Sequence, residues 1–187
     1  MEAREQYCEE MAIVDPGRLV FVDESGCRIG MTRDYGRGAP GQRVAGHTPA
    51  TWGDNVTMIG AIGLDGVRAL MTVDGGTTGE VFEQYVKQVL GPALRAGDIV
   101  VMDNLGSHKV SGIRELIEAR QASLIYLPPY SPDFNPIEQC WSKLKSILKK
   151  LGAQNRDALD EAVATSLGLI TGEDCRGWFH HCGYDPN

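Results

Sequence analysis

The stretch Leu127-Pro128-Pro129-Tyr130-Ser131-Pro132-Asp133-Phe134-Asn135-Pro136-Ile137-Glu138, continuing as Gln139-Cys140-Trp141-Ser142-Lys143-Leu144-Lys145, decides how the 187-residue chain is read. A strand ends at Leu127, because the prolines that follow exclude a helix and hold their predecessors extended. Asn135 suits an N-cap, Pro136 the first helical position, and Ile137 opens an apolar series at helical spacing. The turn therefore delivers Glu138 into the first turn of a helix, beside the end of a strand. A connector this stiff aims one side chain, and Glu138 is the candidate. Asn135-x-x-Glu138 also reads as a capping box, in which the glutamate only satisfies a backbone N–H. Two aspartates upstream, each closing an apolar strand, weigh against that plainer reading.

Those strands are Leu19-Val20-Phe21-Val22-Asp23 and Asp98-Ile99-Val100-Val101-Met102-Asp103, continuous apolar runs of the kind buried on both faces of a sheet. An ionised carboxylate at such a strand end is costly unless a cation or hydrogen-bond donors compensate it. Between them, residues 56–62 and 67–73 flank Gly63-Leu64-Asp65-Gly66 and form a hairpin. Thr77-x-x-Glu80 is a capping box opening a helix. Its stripe of Val81, Phe82, Tyr85, Val86, Val89 and Leu90 is core, ended or kinked at Gly91-Pro92. Val110, Ile113, Leu116 and Ile117 mark another helix, and residues 123–127 a fifth strand. On the Glu138 helix, Ile137, Trp141, Leu144, Leu148 and Leu151 form the buried stripe, with Glu138, Ser142, Lys145 and Lys149 on an adjoining face. Asn155 caps a last helix bearing Leu159, Val163, Leu167 and Ile170. The aromatic tail from Cys175 to Tyr184 packs on the domain. Residues 2–12 predict a short helix, ended by Asp15-Pro16-Gly17.

Right-handed crossovers make the fourth and fifth strands parallel additions to an antiparallel ribbon. The expectation is an α/β fold, a mixed five-stranded sheet of three antiparallel strands then two parallel ones, flanked by helices. The first and fourth strands then lie side by side, Asp23 close to Asp103, with Glu138 reaching over. Three carboxylates so placed repel one another and need a compensating charge. Mg²⁺ or Mn²⁺ fits a few carboxylates plus water and phosphate. Two such ions about 4 Å apart serve phosphodiester displacement.

The length suits one well-buried domain. A net charge of −7 and a pI near 5.1 argue against a self-sufficient DNA-binding protein. The charge is uneven: Lys143, Lys145, Lys149 and Lys150 share the Glu138 helix, and Arg28, Arg33, Arg37 and Arg43 fall in one Gly-rich loop. Each group reads either as a phosphate contact or as a solvated face. Five cysteines without a regular framework indicate reduced thiols. Cys175, His180, His181 and Cys182 are too crowded along the chain to converge easily on zinc. With no apolar run of membrane-spanning length and no leader pattern, a soluble, cytoplasmic protein is expected. Gly75-Gly76-Thr77-Thr78-Gly79 lacks the Gly-Lys-Ser/Thr ending of a phosphate loop, and no nucleophile elbow surrounds Ser107-His108.

Phe21-Val22-Asp23-Glu24-Ser25-Gly26, Val101-Met102-Asp103-Asn104-Leu105-Gly106-Ser107-His108-Lys109 and the stretch from Leu127 to Lys145 resemble, in order, the three blocks of DDE transposases. The subgroup they look like is the bacterial insertion-sequence branch of the mariner-like superfamily. The 34 residues (104–137) between Asp103 and Glu138 match that branch with glutamate as third acid. The likeness covers about Leu19 to Tyr184. It implies a ribonuclease H-like domain over 17–187, with a loop insertion at 30–55 and a linker helix in 1–16. It implies Asp23, Asp103 and Glu138 as the triad holding Mg²⁺ or Mn²⁺, two ions in all. It further implies a homodimer that cleaves DNA at terminal inverted repeats and joins the ends to target DNA at a TA step. The Arg-bearing loop corresponds in position to the loop that clamps the partner subunit in mariner-type enzymes. His108 and Lys109 match the second block and are second-rank candidates for phosphate contact or for orienting the site. Lys143, Lys145, Arg33, Arg37 and Arg43 are candidate DNA or supporting residues. Relatives carry N-terminal helix-turn-helix modules, and none is read in these residues. The expectation is a chain working with a separate helix-turn-helix reading-frame product, or a truncated one. Two readings stand beside the enzyme: a catalytically idle remnant that pairs with or inhibits full-length transposase, and a stand-alone ribonuclease H.

Overall fold

The apolar runs assemble into one sheet in a computed structural model that describes residues 2–33, 35–46, 53–103 and 112–185. Strands β1 (Leu19–Arg28), β2 (Asn55–Gly63) and β3 (Gly66–Asp74) form an antiparallel meander. Its β2–β3 turn rests on Gly66 at φ 136°, backbone that a side chain resists. Strands β4 (Ile99–Met102) and β5 (Ser123–Tyr126) add in parallel on the far side of β1, giving the order β3-β2-β1-β4-β5. This is the mixed five-stranded sheet read from the sequence.

Alternation along β1 divides the core in two. Leu19 and Phe21 face α1 (Glu2–Met11), α5 (Ile137–Leu151), α6 (Arg156–Leu167) and α7 (Gly172–His181). Val20 and Val22 face α2 (Gly79–Tyr85), the segment running on into α3 (Gly91–Ala93), and α4 (Ile113–Glu118). By the same parity Asp23 falls on the α5 side of the sheet. The aromatic tail is a helix, opened by a Thr171–Asp174 capping box, and Phe179 and Tyr184 pack on Phe21. No described helix is long and apolar enough to cross a membrane.

Several local expectations are corrected. β1 does not end at Asp23. It continues to Arg28, because β2 goes on pairing after β4 has stopped. Arg28 therefore belongs to this strand, with its Nε donating to Asn55 Oδ1 at 2.8 Å, and not to the loop. The α2 cap is Thr78, whose hydroxyl accepts from the Val81 N–H, one residue later than read. Gly91-Pro92, read as ending or kinking that helix, falls in its last turn, which closes at Ala93. A π-helical turn at Val86–Leu90 carries it on, with the Gly91 N–H bonded to the Val86 carbonyl. Leu151 is 48% exposed, since Gly152 at φ 62° closes α5 just beyond the sheet. Cys140 is buried on that helix instead. Val110, expected on the α4 face, lies outside the described residues.

Candidate active site

The last parallel pair between β1 and β4 is Val22 with Met102, so Asp23, within β1, and Asp103, just past the end of β4, stand at one level. The Leu127 N–H donates to the Met102 carbonyl at 2.9 Å and brings the end of β5 to the same level. Ligand clefts in such sheets open at the carboxyl ends of parallel strands. Here the Pro-rich turn folds over that edge into α5. A cavity of about 430 Å³ results, lined by Asp23, Asp103, Leu127, the turn from Pro128 to Pro132, Asn135 and Glu138. The three acids singled out by the sequence thus share one cavity. Among the described residues, no three His, Cys, Asp or Glu side chains close on a single point.

The turn is fixed from outside. Arg4 of α1 donates to Ser131 Oγ at 2.8 Å and to Asp133 Oδ1 at 3.0 Å, and its guanidinium lies 4.2 Å from the centre of the Phe134 ring. Asn135 is not the side-chain cap expected. A short 3₁₀ turn at Pro132–Phe134 already has the chain curling, so Pro136 takes the cap position with helical dihedrals. The Asn135 carbonyl accepts the Glu138 N–H at 3.2 Å, while its buried Oδ1 has no partner among the described residues. The capping-box reading of Glu138 falls with this, and its exposed carboxylate stands at the cavity.

Asp23 is 9% exposed. The Trp141 indole N–H, one turn along α5 from Glu138, donates to its Oδ2 at 3.3 Å. Gly60, the register partner of Asp23 on β2, makes room for that indole: a Cβ there would stand 2.7 Å from the ring. Burial, foremost, with the charges of Glu138 and Asp103, pushes the Asp23 carboxyl up to about 7, against the Glu24 backbone and Trp141 hydrogen bonds. A carboxyl so placed favours whatever positive charge reaches it.

Further along the same face of α5, Ser142, Lys145, Ser146, Lys149 and Lys150 meet Arg33, Tyr35, Gly36 and Arg37 in an open groove of about 870 Å³. This brings together two of the basic groups read from the sequence. Arg43 is exposed and does not line the groove. Lys143 is bound to Asp174 and ties α5 to α7. His108 and Lys109 lie outside the described residues. Cys175 and Cys182 are buried in the core, and His180 sits at the surface against Asp185. Trp141 and Gly60 were not read as site residues. Their spacing reveals nothing until the β1–β2 register is known.

The fold and the cavity define a class that comparison makes specific. The chain belongs to the DDE superfamily endonuclease family, whose model matches residues 18–160. It is 31% identical over 78 residues to the Transposable element Tc1 transposase of Caenorhabditis elegans, spanning 42% of this chain and 29% of that protein. The fold is that of the Mos1 transposase paired-end complex with left transposon end, at a TM-score of 0.78 and 18% identity over 97% of this chain and 58% of the other. It is also that of the Mos1 transposase catalytic domain solved with raltegravir and Mn, at a TM-score of 0.73 and 15% identity over 99% and 88% of the two chains. The sheet is therefore ribonuclease H-like, as the resemblance implied. The chain spans well under two thirds of the Tc1 protein and of the Mos1 chain in the paired-end complex.

Proposed function

We propose that this chain is the catalytic domain of a DNA transposase, cutting DNA at transposon ends and joining those ends to target DNA. One observation carries the reading: β1, the end of β4 and the first turn of α5 deliver Asp23, Asp103 and Glu138 to one cavity in a DDE superfamily chain. The donor set is oxygen only and partly desolvated, which fits Mg²⁺ or Mn²⁺. Asp23, Asp103 and Glu138 would hold two such ions, with phosphate and water completing the shells. When bound, the ions polarise the scissile phosphate and stabilise charge on the attacking and departing oxygens. Trp141 fixes the Asp23 carboxylate. Arg33, Arg37 and Lys145 guide the phosphate backbone along the groove. The 34-residue spacing and the glutamate support the bacterial insertion-sequence branch. The acidic balance supports assigning end recognition to a basic helix-turn-helix module outside these residues. A homodimer follows from the same reading.

The test joins calorimetry with Mn²⁺ to nicking of supercoiled plasmid. Wild type should bind the ion and nick. Asp23→Ala, Asp103→Ala and Glu138→Ala should each keep the fold by circular dichroism and lose nicking. A variant nicking at the wild-type rate removes that residue from the triad. Ion binding with no cleavage of any DNA turns the assignment to the idle partner of a full-length transposase.

A further inference from the structure

Tyr130 is the most exposed large hydrophobic side chain among the described residues, 99% exposed, and it stands on the rim of the cavity that holds Asp23, Asp103 and Glu138. Its backbone lies at φ 55°, left-handed territory that a tyrosine enters only at a cost. Among the described residues Gln121 alone shares this among non-glycines. Such a conformation persists when the surroundings over-determine it. They do so here: Pro128-Pro129 stiffen the approach and Pro132 the departure. The buried Ser131 hydroxyl accepts from Arg4 and reaches the Pro129 carbonyl, and Asp133 is bound by the same arginine. The rigid turn presents a ring that packs on none of the described residues. Tyr35 is also 90% exposed, but it lies in the basic groove, away from the acids.

We propose that Tyr130 is a stacking platform for an unpaired nucleobase at a DNA strand end beside the acids, an inference that rests on the function proposed above. A base inside a duplex has both faces covered by its neighbours. At a cut or frayed end one face is free, and an aromatic ring takes it whatever the base. Ordering the terminal nucleotide in this way sets its phosphate against the carboxylates. The hydroxyl is dispensable and the ring is not.

The test needs no knowledge of the transposon ends, because stacking tolerates any sequence. A fluorescein-labelled duplex with a short single-stranded overhang is titrated in Ca²⁺ with the full chain, beside the same duplex carrying an abasic overhang. Tyr130→Ala should weaken binding of the base-bearing overhang by about tenfold. It should leave the abasic duplex unchanged, and Tyr130→Phe should bind both as wild type does. Tyr130→Asn, a residue at ease with positive φ, repeats the loss in a backbone free of strain. A 2-aminopurine in the overhang should be quenched by wild type and Tyr130→Phe and not by Tyr130→Ala. Equal losses on both duplexes, or no loss, overturn the inference. Mn²⁺-dependent nicking together with that result leaves the proposed function standing. Base-dependent binding without nicking does the reverse.

Discussion

Burial and two neighbouring carboxyls raise the Asp23 carboxyl to about 7, while an unperturbed aspartate ionises near 3.8. Between those values the folded chain keeps a proton that the unfolded chain has released. Folding stability in metal-free buffer therefore falls as pH rises from about 4 to about 7, by at most about 4 kcal/mol. Urea melts across that window should show the slope, and Asp23→Asn should remove it. Mn²⁺ at pH 8 should recover stability in the wild type only. Trp141→Phe keeps an aromatic ring but deletes the N–H, so Mn²⁺ affinity should fall about tenfold in calorimetry, and the smaller ring leaves a cavity that lowers the melting temperature as well. Gly60→Ala should cost about 1–3 kcal/mol, because the indole has no room to retreat from a Cβ. Asp23 and Asp103 were legible because each ends an apolar run whose burial makes a charge conspicuous, and Glu138 because a stiff Pro-rich connector delivers it into the first turn of a helix. The Trp141–Gly60 fit was not, since it depends on which residue of β2 lies opposite Asp23.

Strands were easier to read than the starts of helices. The apolar runs and the Asp-Gly turn left one pairing scheme, and the sheet order followed from crossover handedness. Caps went astray by one residue at Thr78 and in kind at Asn135, where several local acceptors compete and a difference of one position decides. The role of Arg68 was equally hidden. From β3 it donates to Asp98 at 2.7 Å, both side chains nearly buried, and so fastens the hairpin to the start of β4. Arg68→Met should cost about 3 kcal/mol by stranding Asp98, read as a lower urea midpoint. Tyr184 ties the last described turn to α1 and to the Pro-rich connector, through the Tyr7 hydroxyl at 2.8 Å and the Phe134 carbonyl at 2.7 Å. Tyr184→Phe should cost about 1–2 kcal/mol.

Across the whole molecule, the net charge of −7 opposes nucleic acid at long range, while the groove of Arg33, Arg37 and Lys145 attracts it locally. Binding to duplex DNA should weaken steeply with salt, and Lys145→Ala should lower the slope of log K against log salt by about one. Lys143→Ala should leave that slope unchanged and loosen the packing of α7 instead. The loop arginines and the α5 lysines were legible as charge clusters. Their meeting in one groove was not, because a long Gly-rich loop has no periodicity that fixes its course. The sheet order also sets a sequence of events during synthesis. The β1–β3 meander closes on neighbours along the chain, whereas β1 must wait for β4 and the cavity for α5, which follows the last strand. A ribosome-bound or prematurely terminated chain carries Asp23 and Asp103 without the helix that answers them. The three acids thus come together only after α5 has been made, and a shorter copy never assembles the cavity.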